Sequence, residues 1–107
     1  MLLEGGANAE RANDLQLTAL HYAAWNGYVE VCRLLLDWGA KVDPPDEWKD
    51  TPLHDAARLG QLSVVKLLVE RGADISLKNY IGRTASDTAW RNGKLDVVDW
   101  LNSVSRG

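Results

Sequence analysis

A fixed step of 33 residues runs through this chain and constrains its fold more than any single helix or strand signal does. The step recurs in three frames: Thr18, Thr51 and Thr84; Gly27, Gly60 and Gly93; and Gly6, Gly39 and Gly72. The segments TALHYAAWNGYVEVCRLLLDWGAKVD and TPLHDAARLGQLSVVKLLVERGADIS also match, in order, at Thr, Leu, His, Ala, Ala, Gly, Val, Leu, Leu, Gly and Ala. A period of this length is typical of repeat proteins, in which each unit packs only against its neighbours.

The first half of each unit predicts a short helix. In the middle unit, the hydroxyl of Thr51 can cap the helix, and Pro52 suits the first helical position because its missing N–H would have no partner there. Ala56 and Ala57 are small enough to let a neighbouring helix come close, and Gly60 ends the segment. Small residues on this helix therefore favour close stacking of successive units.

The second half predicts another helix followed by an extended loop. Apolar residues recur at three- and four-residue steps, at Leu62, Val65, Leu68 and Val69. Gly72 suits a left-handed cap, and residues 79–82 carry a turn signal. Each unit is thus predicted to contain a helix, a turn, a second helix and a projecting loop.

The segment TPLHDAARLGQLSVVKLLVERGAD resembles an ankyrin repeat through its Thr-Pro-Leu-His, Ala-Ala and Gly-Ala signatures. The resemblance implies an all-α solenoid of stacked helix pairs with projecting, β-hairpin-like loops. It covers one domain over residues 1–107, with a partial N-terminal repeat, two full repeats and a C-terminal capping repeat at 1–17, 18–50, 51–83 and 84–107.

The last unit departs from the signature in ways that suit a cap. Ser86 and Asp87 replace the Leu and His, and Asn102 stands where the other units have Leu or Val. These polar groups fall on the face that a further unit would otherwise cover. Trp90 and Trp100 are expected to cover the end of the core.

The first residues, MLLEGGANAERANDLQL, begin at what would be the end of a second helix, with no partner helix before it. Two explanations stay open for the apolar edge that this leaves. The chain is a piece of a longer array, or it is a short chain whose N-terminal face is covered by another molecule, including a second copy of itself.

Composition excludes several classes of function. A net charge of −3 offers no basic field for a phosphate backbone, so nucleic acid is not an expected partner. No apolar run approaches the roughly 20 residues that cross a bilayer, so membrane insertion is not expected. The single cysteine, Cys32, cannot form an intramolecular disulfide, which suits the cytoplasm or nucleus.

The titratable residues do not predict catalysis, a metal site or a cofactor. His21, His54 and Asp87 occupy the same position in successive units, and packed helices lie about 8–10 Å apart, whereas zinc ligands lie about 2 Å from the ion. The resemblance implies instead that the histidines tie each first helix to neighbouring loops. Cys32 aligns with valines and is expected in the core. The chain is therefore predicted not to be an enzyme.

The resemblance implies that a partner protein or peptide contacts the concave face, which consists of the loop tips and the exposed side of each first helix. In the first unit these positions are Asp14, Leu15, Leu17, Tyr22, Trp25 and Asn26. In the second unit they are Glu47, Trp48, Asp50, Asp55, Arg58 and Leu59. In the third unit they are Tyr80, Ile81, Arg83, Thr88, Arg91 and Asn92.

These positions are more apolar than solubility alone requires. Large aromatic residues flanked by charges are typical of binding hot spots, and Trp48 lies at the centre of the row. Acidic residues belong mainly to its earlier part and Arg58, Arg83 and Arg91 to its later part, which favours a partner of opposite polarity. The alternative is that Tyr and Trp at the tips pack on the next loop. Trp38, on the back, would need a neighbour or a second contact surface.

The sequence therefore predicts a non-catalytic protein–protein interaction module that could serve as an adaptor or scaffold. The rival hypothesis is a structural or self-associating section of a larger ankyrin scaffold, with the N-terminal edge as its contact. A third alternative is an engineered binder on the same framework, but the first two repeats differ more than copies of one consensus would.

Overall fold

The computed structural model describes residues 17–105, and over that range the chain forms six α-helices and no β-strand. The helices are α1 (Ala19–Trp25), α2 (Val29–Asp37), α3 (Pro52–Arg58), α4 (Leu62–Glu70), α5 (Ala85–Arg91) and α6 (Leu95–Ser105). None of these helices combines the length and apolar character needed to cross a membrane.

The helices form two layers. In the first layer α3 packs between α1 and α5, and in the second layer α4 contacts α2 and α6. Each first helix also packs on the second helix of its own unit. This arrangement confirms the predicted all-α solenoid of stacked helix pairs.

Each first helix begins at a threonine. The side chain of Thr51 accepts a hydrogen bond from the His54 N–H, and Pro52 occupies the first turn, as predicted. Thr18 and Thr84 cap α1 and α5 in the same way. These caps satisfy N–H groups that have no partner inside the helix.

Two buried histidines join each cap to the next loop. Nδ1 of His54 accepts a hydrogen bond from the Thr51 N–H at 3.1 Å, so Nε2 carries the proton and donates to the Arg83 carbonyl at 2.9 Å. His21 makes the same bonds to Thr18 and to the Asp50 carbonyl, at 3.1 and 2.9 Å. The role that the resemblance implied for these residues is confirmed.

Small side chains allow the first layer to pack closely. Ala23, Ala56 and Ala89 stand at one position of successive units, and all three are buried. Cys32 is also fully buried, which confirms its predicted place in the core. Because interiors are densely packed, a larger residue at the alanine positions would push neighbouring helices apart.

The turn between the helices of the first unit requires glycine. Gly27 has φ 73, a left-handed conformation that side chains disfavour. A Cβ built there would lie 2.5 Å from Oε1 of Gln61, whose Nε2 donates to the Trp25 carbonyl at 3.1 Å. Any other residue at position 27 would therefore strain the backbone and break a contact between units.

The last unit follows the predicted cap in part. Asp87 and Asn102 are exposed, and Trp100 is partly buried against the core. The prediction for Trp90 was wrong, because its side chain is 65% exposed. The next unit buries the equivalent Ala24 and Ala57, whereas no described unit follows α5 to cover Trp90.

The histidine network generates a prediction about stability. We expect His54→Ala to lower the free energy of unfolding by about 2–4 kcal/mol, because it leaves the Thr51 N–H without its side-chain partner, removes one of the two donors to the Arg83 carbonyl and opens a cavity. Asp87→Ala is the matched control, since Asp87 caps Thr84 from an exposed position and should cost about 1 kcal/mol. Urea unfolding followed by tryptophan fluorescence measures both, and equal losses would contradict a role in joining units.

Candidate functional site

Each loop is grouped from this point with the helix pair that follows it, so the second unit begins with the loop before α3 and the third unit with the loop before α5. The tips of these two loops form the same kind of turn. Oδ1 of Asp46 accepts hydrogen bonds from the N–H groups of Trp48 and Asp50, both at 2.9 Å. Oδ1 of Asn79 likewise accepts from Ile81 at 3.2 Å and Arg83 at 3.0 Å. These bonds hold Trp48 and Ile81 at the tips without help from their own side chains.

This turn was predicted from the sequence at residues 79–82, but the equivalent turn at Asp46 was missed. Asp46 and Asn79 are separated by the repeat step of 33, and both residue types favour such turns. Lys49 and Gly82 lie three residues after Asp46 and Asn79, and their φ angles are 62° and 81°. Lys49 is the only described residue other than glycine with positive φ, which indicates that the carboxylate of Asp46 enforces the turn against the preference of the lysine backbone.

Adjacent tips are joined by a backbone hydrogen bond. The N–H of Tyr80 donates to the carbonyl of Trp48 at 2.8 Å. The Trp48 side chain remains 47% exposed, and those of Tyr80 and Ile81 are also exposed. The tip residues are therefore fixed through their backbone while their apolar side chains face solvent.

Most of the predicted contact positions present accessible surface. The exposed ones are Tyr22, Trp25, Asn26, Glu47, Trp48, Leu59, Tyr80, Ile81, Arg91 and Asn92. Leu17, Arg58 and Arg83 are half-buried. Asp14 and Leu15 lie outside the described residues.

Three predicted contact positions offer a partner little surface and need correction. Asp50, Asp55 and Thr88 are buried. Thr88 Oγ1 donates to the Thr84 carbonyl at 3.0 Å, while the two aspartates bind Arg58. Their place in the repeat predicted a direction for each side chain but not the neighbour that covers it.

Arg58 connects two buried carboxylates on the concave face. Its Nη2 lies 2.9 Å from Asp50 Oδ2, and its Nη1 lies 3.0 Å from Asp55 Oδ1. Nδ2 of Asn79 donates to the other Asp50 oxygen at 3.0 Å. The guanidinium is therefore oriented by a fork of two acids, and both oxygens of Asp50 are occupied.

Asp55 is the least satisfied member of this group. Its Oδ2 is buried and has no hydrogen-bond partner. Burial raises the pKa of Asp55 from 3.8 to about 7, with Arg58 opposing the shift and the negative charges of Asp50 and Asp46 adding to it. The carboxyl group therefore holds a proton well above the ordinary range of an aspartate.

The same acids are the one group of possible metal ligands found among residues 17–105. Carboxylate oxygens of Asp46, Asp50 and Asp55 lie within 4.8 Å of one another, a spacing that an oxygen-seeking cation could accept. A metal would have to displace Arg58 from two of them, while the third already accepts two backbone N–H groups. The geometry favours an ion-pair network over a metal centre.

The residues with catalytic chemistry are engaged in structural contacts. Both ring nitrogens of His21 and of His54 make hydrogen bonds. Burial lowers the pKa of His21, although its bond to the Asp50 carbonyl and the charges of Asp46 and Asp50 oppose this. Burial raises the pKa of the Cys32 thiol to about 11, so the nucleophilic thiolate is scarce at neutral pH.

A cleft of about 210 Å³ opens between the second and third units. Its wall includes the apolar side chains of Trp48, Tyr80 and Ile81 and the charged groups of Asp50, Arg58 and Arg83. The arrangement can receive a side chain from another molecule, because apolar surface and hydrogen-bonding groups meet in one depression.

Two family models match this chain, and both describe repeats of the kind that its helix pairs form. A family model described as ankyrin repeats (many copies) matches residues 53–101, and a model described as ankyrin repeat matches residues 16–47. A search of curated proteins finds no match to the chain.

The raised pKa of Asp55 predicts a pH-dependent contribution to stability. Between about pH 4 and 7 the folded protein keeps a proton on Asp55 that the unfolded chain releases, so this contribution falls as pH rises. We expect the free energy of unfolding of the wild type, relative to Asp55→Asn, to fall across this window by at most about 1.4 kcal/mol per pH unit.

Urea unfolding of both proteins at several pH values measures this difference. Asp99→Asn removes a formal charge from an exposed site on α6 and serves as the control. A difference between wild type and Asp55→Asn that stays constant from pH 4 to 7 would contradict the assignment of this proton to Asp55.

Proposed function

The chain belongs to the ankyrin repeat family, and from that premise we propose that it is a non-catalytic module that binds a partner protein or peptide through its concave face. Ankyrin repeats are generally protein–protein interaction modules. The side chains that the loop tips and the exposed sides of α1, α3 and α5 present support these elements as the binding surface.

The observation that carries the proposal is the row of exposed apolar side chains on a rigid backbone. The Trp48 side chain is 47% exposed, while its backbone is held by two hydrogen bonds: the N–H donates to Asp46, and the carbonyl accepts from Tyr80. A fixed tip loses little conformational freedom on binding, so more of the interaction energy appears as affinity.

The first helices extend this row across the units. Tyr22 and Trp25 on α1 are each about half exposed, and Leu59 follows α3. Binding hot spots usually contain an aromatic side chain, such as an indole, that becomes fully buried against the partner and is surrounded by charged groups. An interface of standard size would cover about 800 Å² of this face.

This proposal predicts that Trp48 is an energetic anchor. Peptides selected from a displayed random library on the wild-type chain should lose at least about 30-fold in affinity for Trp48→Ala, the scale of a hot-spot truncation. Biolayer interferometry on purified peptides measures the loss, and the stability of the variant should stay close to that of the wild type because Trp48 is half exposed.

Trp90→Ala is the matched control for this test. Trp90 is also an exposed tryptophan, but it lies on the open end of the solenoid and not among the predicted contact positions. We expect its substitution to leave peptide affinity unchanged. Selected peptides that bind Trp48→Ala as tightly as the wild type would contradict the proposed binding site.

A second candidate function, self-association, is favoured by an apolar surface on α2. Val31, Leu34 and Trp38 lie on one side of the helix and Tyr28 precedes it, with exposures of 45%, 52%, 62% and 58%. We call these four residues the α2 stripe. The residue equivalent to Trp38 in the next unit is Arg71, which pairs with Asp37, so the back of the solenoid is polar there.

The α2 stripe has the spacing of a surface that can pair with a second copy of itself. In an antiparallel pair of α2 helices, Tyr28 of one chain would face Trp38 of the other and Val31 would face Leu34. Large residues at the ends and smaller ones at the centre satisfy the self-complementarity that a two-fold interface requires. The proposed occupant is therefore a second copy of the chain.

Self-association through the α2 stripe predicts a mass that depends on concentration. Light scattering should give a rising molar mass for the wild type and a monomer for Leu34→Glu, because a charge in the centre of the stripe would be buried unpaired. Leu95→Glu, an exposed leucine on α6, should behave as the wild type does. A wild-type monomer at every concentration would eliminate this candidate.

A further inference from the structure

The charged groups of the cleft between the second and third units are not equally satisfied. Its acceptors already have donors: Asp50 receives Arg58 on one oxygen and Asn79 on the other. Asp46 accepts two backbone N–H groups, and Asp55 is covered from solvent. The acids of this region therefore offer little to a cation from a partner.

The donors of the cleft remain available. Among the ion pairs of the described residues, none includes the guanidinium of Arg83, although this residue lines the cleft and is half-buried. Arg58 uses two of its N–H groups and has three more in the same planar fork. The groups of the cleft that can still form hydrogen bonds are thus the N–H donors of positively charged arginines.

The backbone of Arg83 is held on both sides. Its N–H donates to Asn79 Oδ1 at 3.0 Å, and its carbonyl accepts from His54 Nε2 at 2.9 Å. The base of the side chain is therefore fixed by the loop and by the preceding unit, while the charged end is left without a carboxylate partner. Such preorganisation reduces the entropy lost when the guanidinium binds.

We propose that this cleft receives an acidic side chain, an aspartate or glutamate of an extended peptide segment, and that Arg83 binds its carboxylate. The inference rests on the proposed function, since it specifies the chemistry of a partner at the same concave face. Arg83 can bind a carboxylate through two parallel N–H groups, and the surrounding apolar wall strengthens the pair by excluding water.

The shape of the cleft agrees with this occupant. Its volume of about 210 Å³ is below the roughly 300–1,000 Å³ of sites for drug-sized ligands, so a single side chain fits it better than a cofactor does. Trp48, Tyr80 and Ile81 form the apolar part of its wall. A large apolar residue beside the acid in the peptide would pack there.

The position of Arg83 in the repeat limits this preference to one junction. One repeat step earlier, the same place in the loop is held by Asp50. Asp50 has no side-chain donor for a carboxylate, so the preceding junction has no equivalent of the Arg83 guanidinium at this position, and in the cleft both oxygens of Asp50 are already occupied by Arg58 and Asn79. The acid of the partner is therefore fixed to the junction between the second and third units, which sets the register of the peptide along the concave face.

The test uses peptide-display selections with a random library on the wild type, on Arg83→Gln and on Lys66→Gln. Lys66→Gln is the matched control, because Lys66 is an exposed cation on α4, outside the predicted contact positions and the cleft, and its loss changes the net charge equally. The backbone bonds of Arg83 do not depend on its guanidinium, so the Gln variant should fold normally.

We expect peptides selected on the wild type and on Lys66→Gln to carry an enriched Asp or Glu next to a large apolar residue, and peptides selected on Arg83→Gln to lack that acid. Replacing the acid by its amide should weaken a selected peptide at least about tenfold on the wild type, the scale of a charge-assisted hydrogen bond, and less than twofold on Arg83→Gln.

Other outcomes separate this inference from the proposed function. Peptides that require Trp48 but show no acidic preference would overturn the role of Arg83 and leave the proposed function standing. An equal loss of acid dependence in Arg83→Gln and Lys66→Gln would also overturn it, because the effect would then be one of net charge. If no Trp48-dependent peptide emerges on any of the three proteins, the proposed function fails and the inference fails with it.

Discussion

The hydrogen bonds of two buried histidines hold the rest of this structure in register. Each ring accepts from the N–H of a capping threonine and donates to a carbonyl in the loop of the next unit, Asp50 for His21 and Arg83 for His54. Leaving such groups unpaired in the interior is costly. The start of a first helix and the base of the following loop are therefore positioned by the same side chain.

The geometry of the concave face depends on these histidine hydrogen bonds. The loops anchored at Asp50 and Arg83 are the ones that end in the Asp46 and Asn79 turns. Trp48 stands on the first of these turns, and Arg83 is itself both an anchor and a wall of the cleft. The orientation of the concave surface thus depends on the same residues that join the units.

Position within the repeat indicated the direction of each side chain better than its accessibility. Asp50 and Asp55 point to the concave face, yet Arg58 binds them both and leaves them buried. Trp90 shows the opposite error, since the position that a following unit buries in Ala24 and Ala57 is left open on α5. The Asp55–Arg58 pair lies within α3 at a spacing of three residues, whereas the exposure of Trp90 depends on a neighbouring unit, which the pattern within one unit does not contain.

The amino-acid sequence by itself determined the repeat, the helix pairs, the threonine caps and the core position of Cys32. These follow from local chemistry and from a spacing of 33 residues that is visible without any structure. Only the tertiary structure decided that Arg58 also binds Asp50, that the tips of adjacent loops bond through Tyr80 and Trp48, and that Arg83, beside an apolar wall, has no ion-pair partner among residues 17–105. The physical reason is that such contacts depend on distances between segments that are separate along the chain, which a period does not specify.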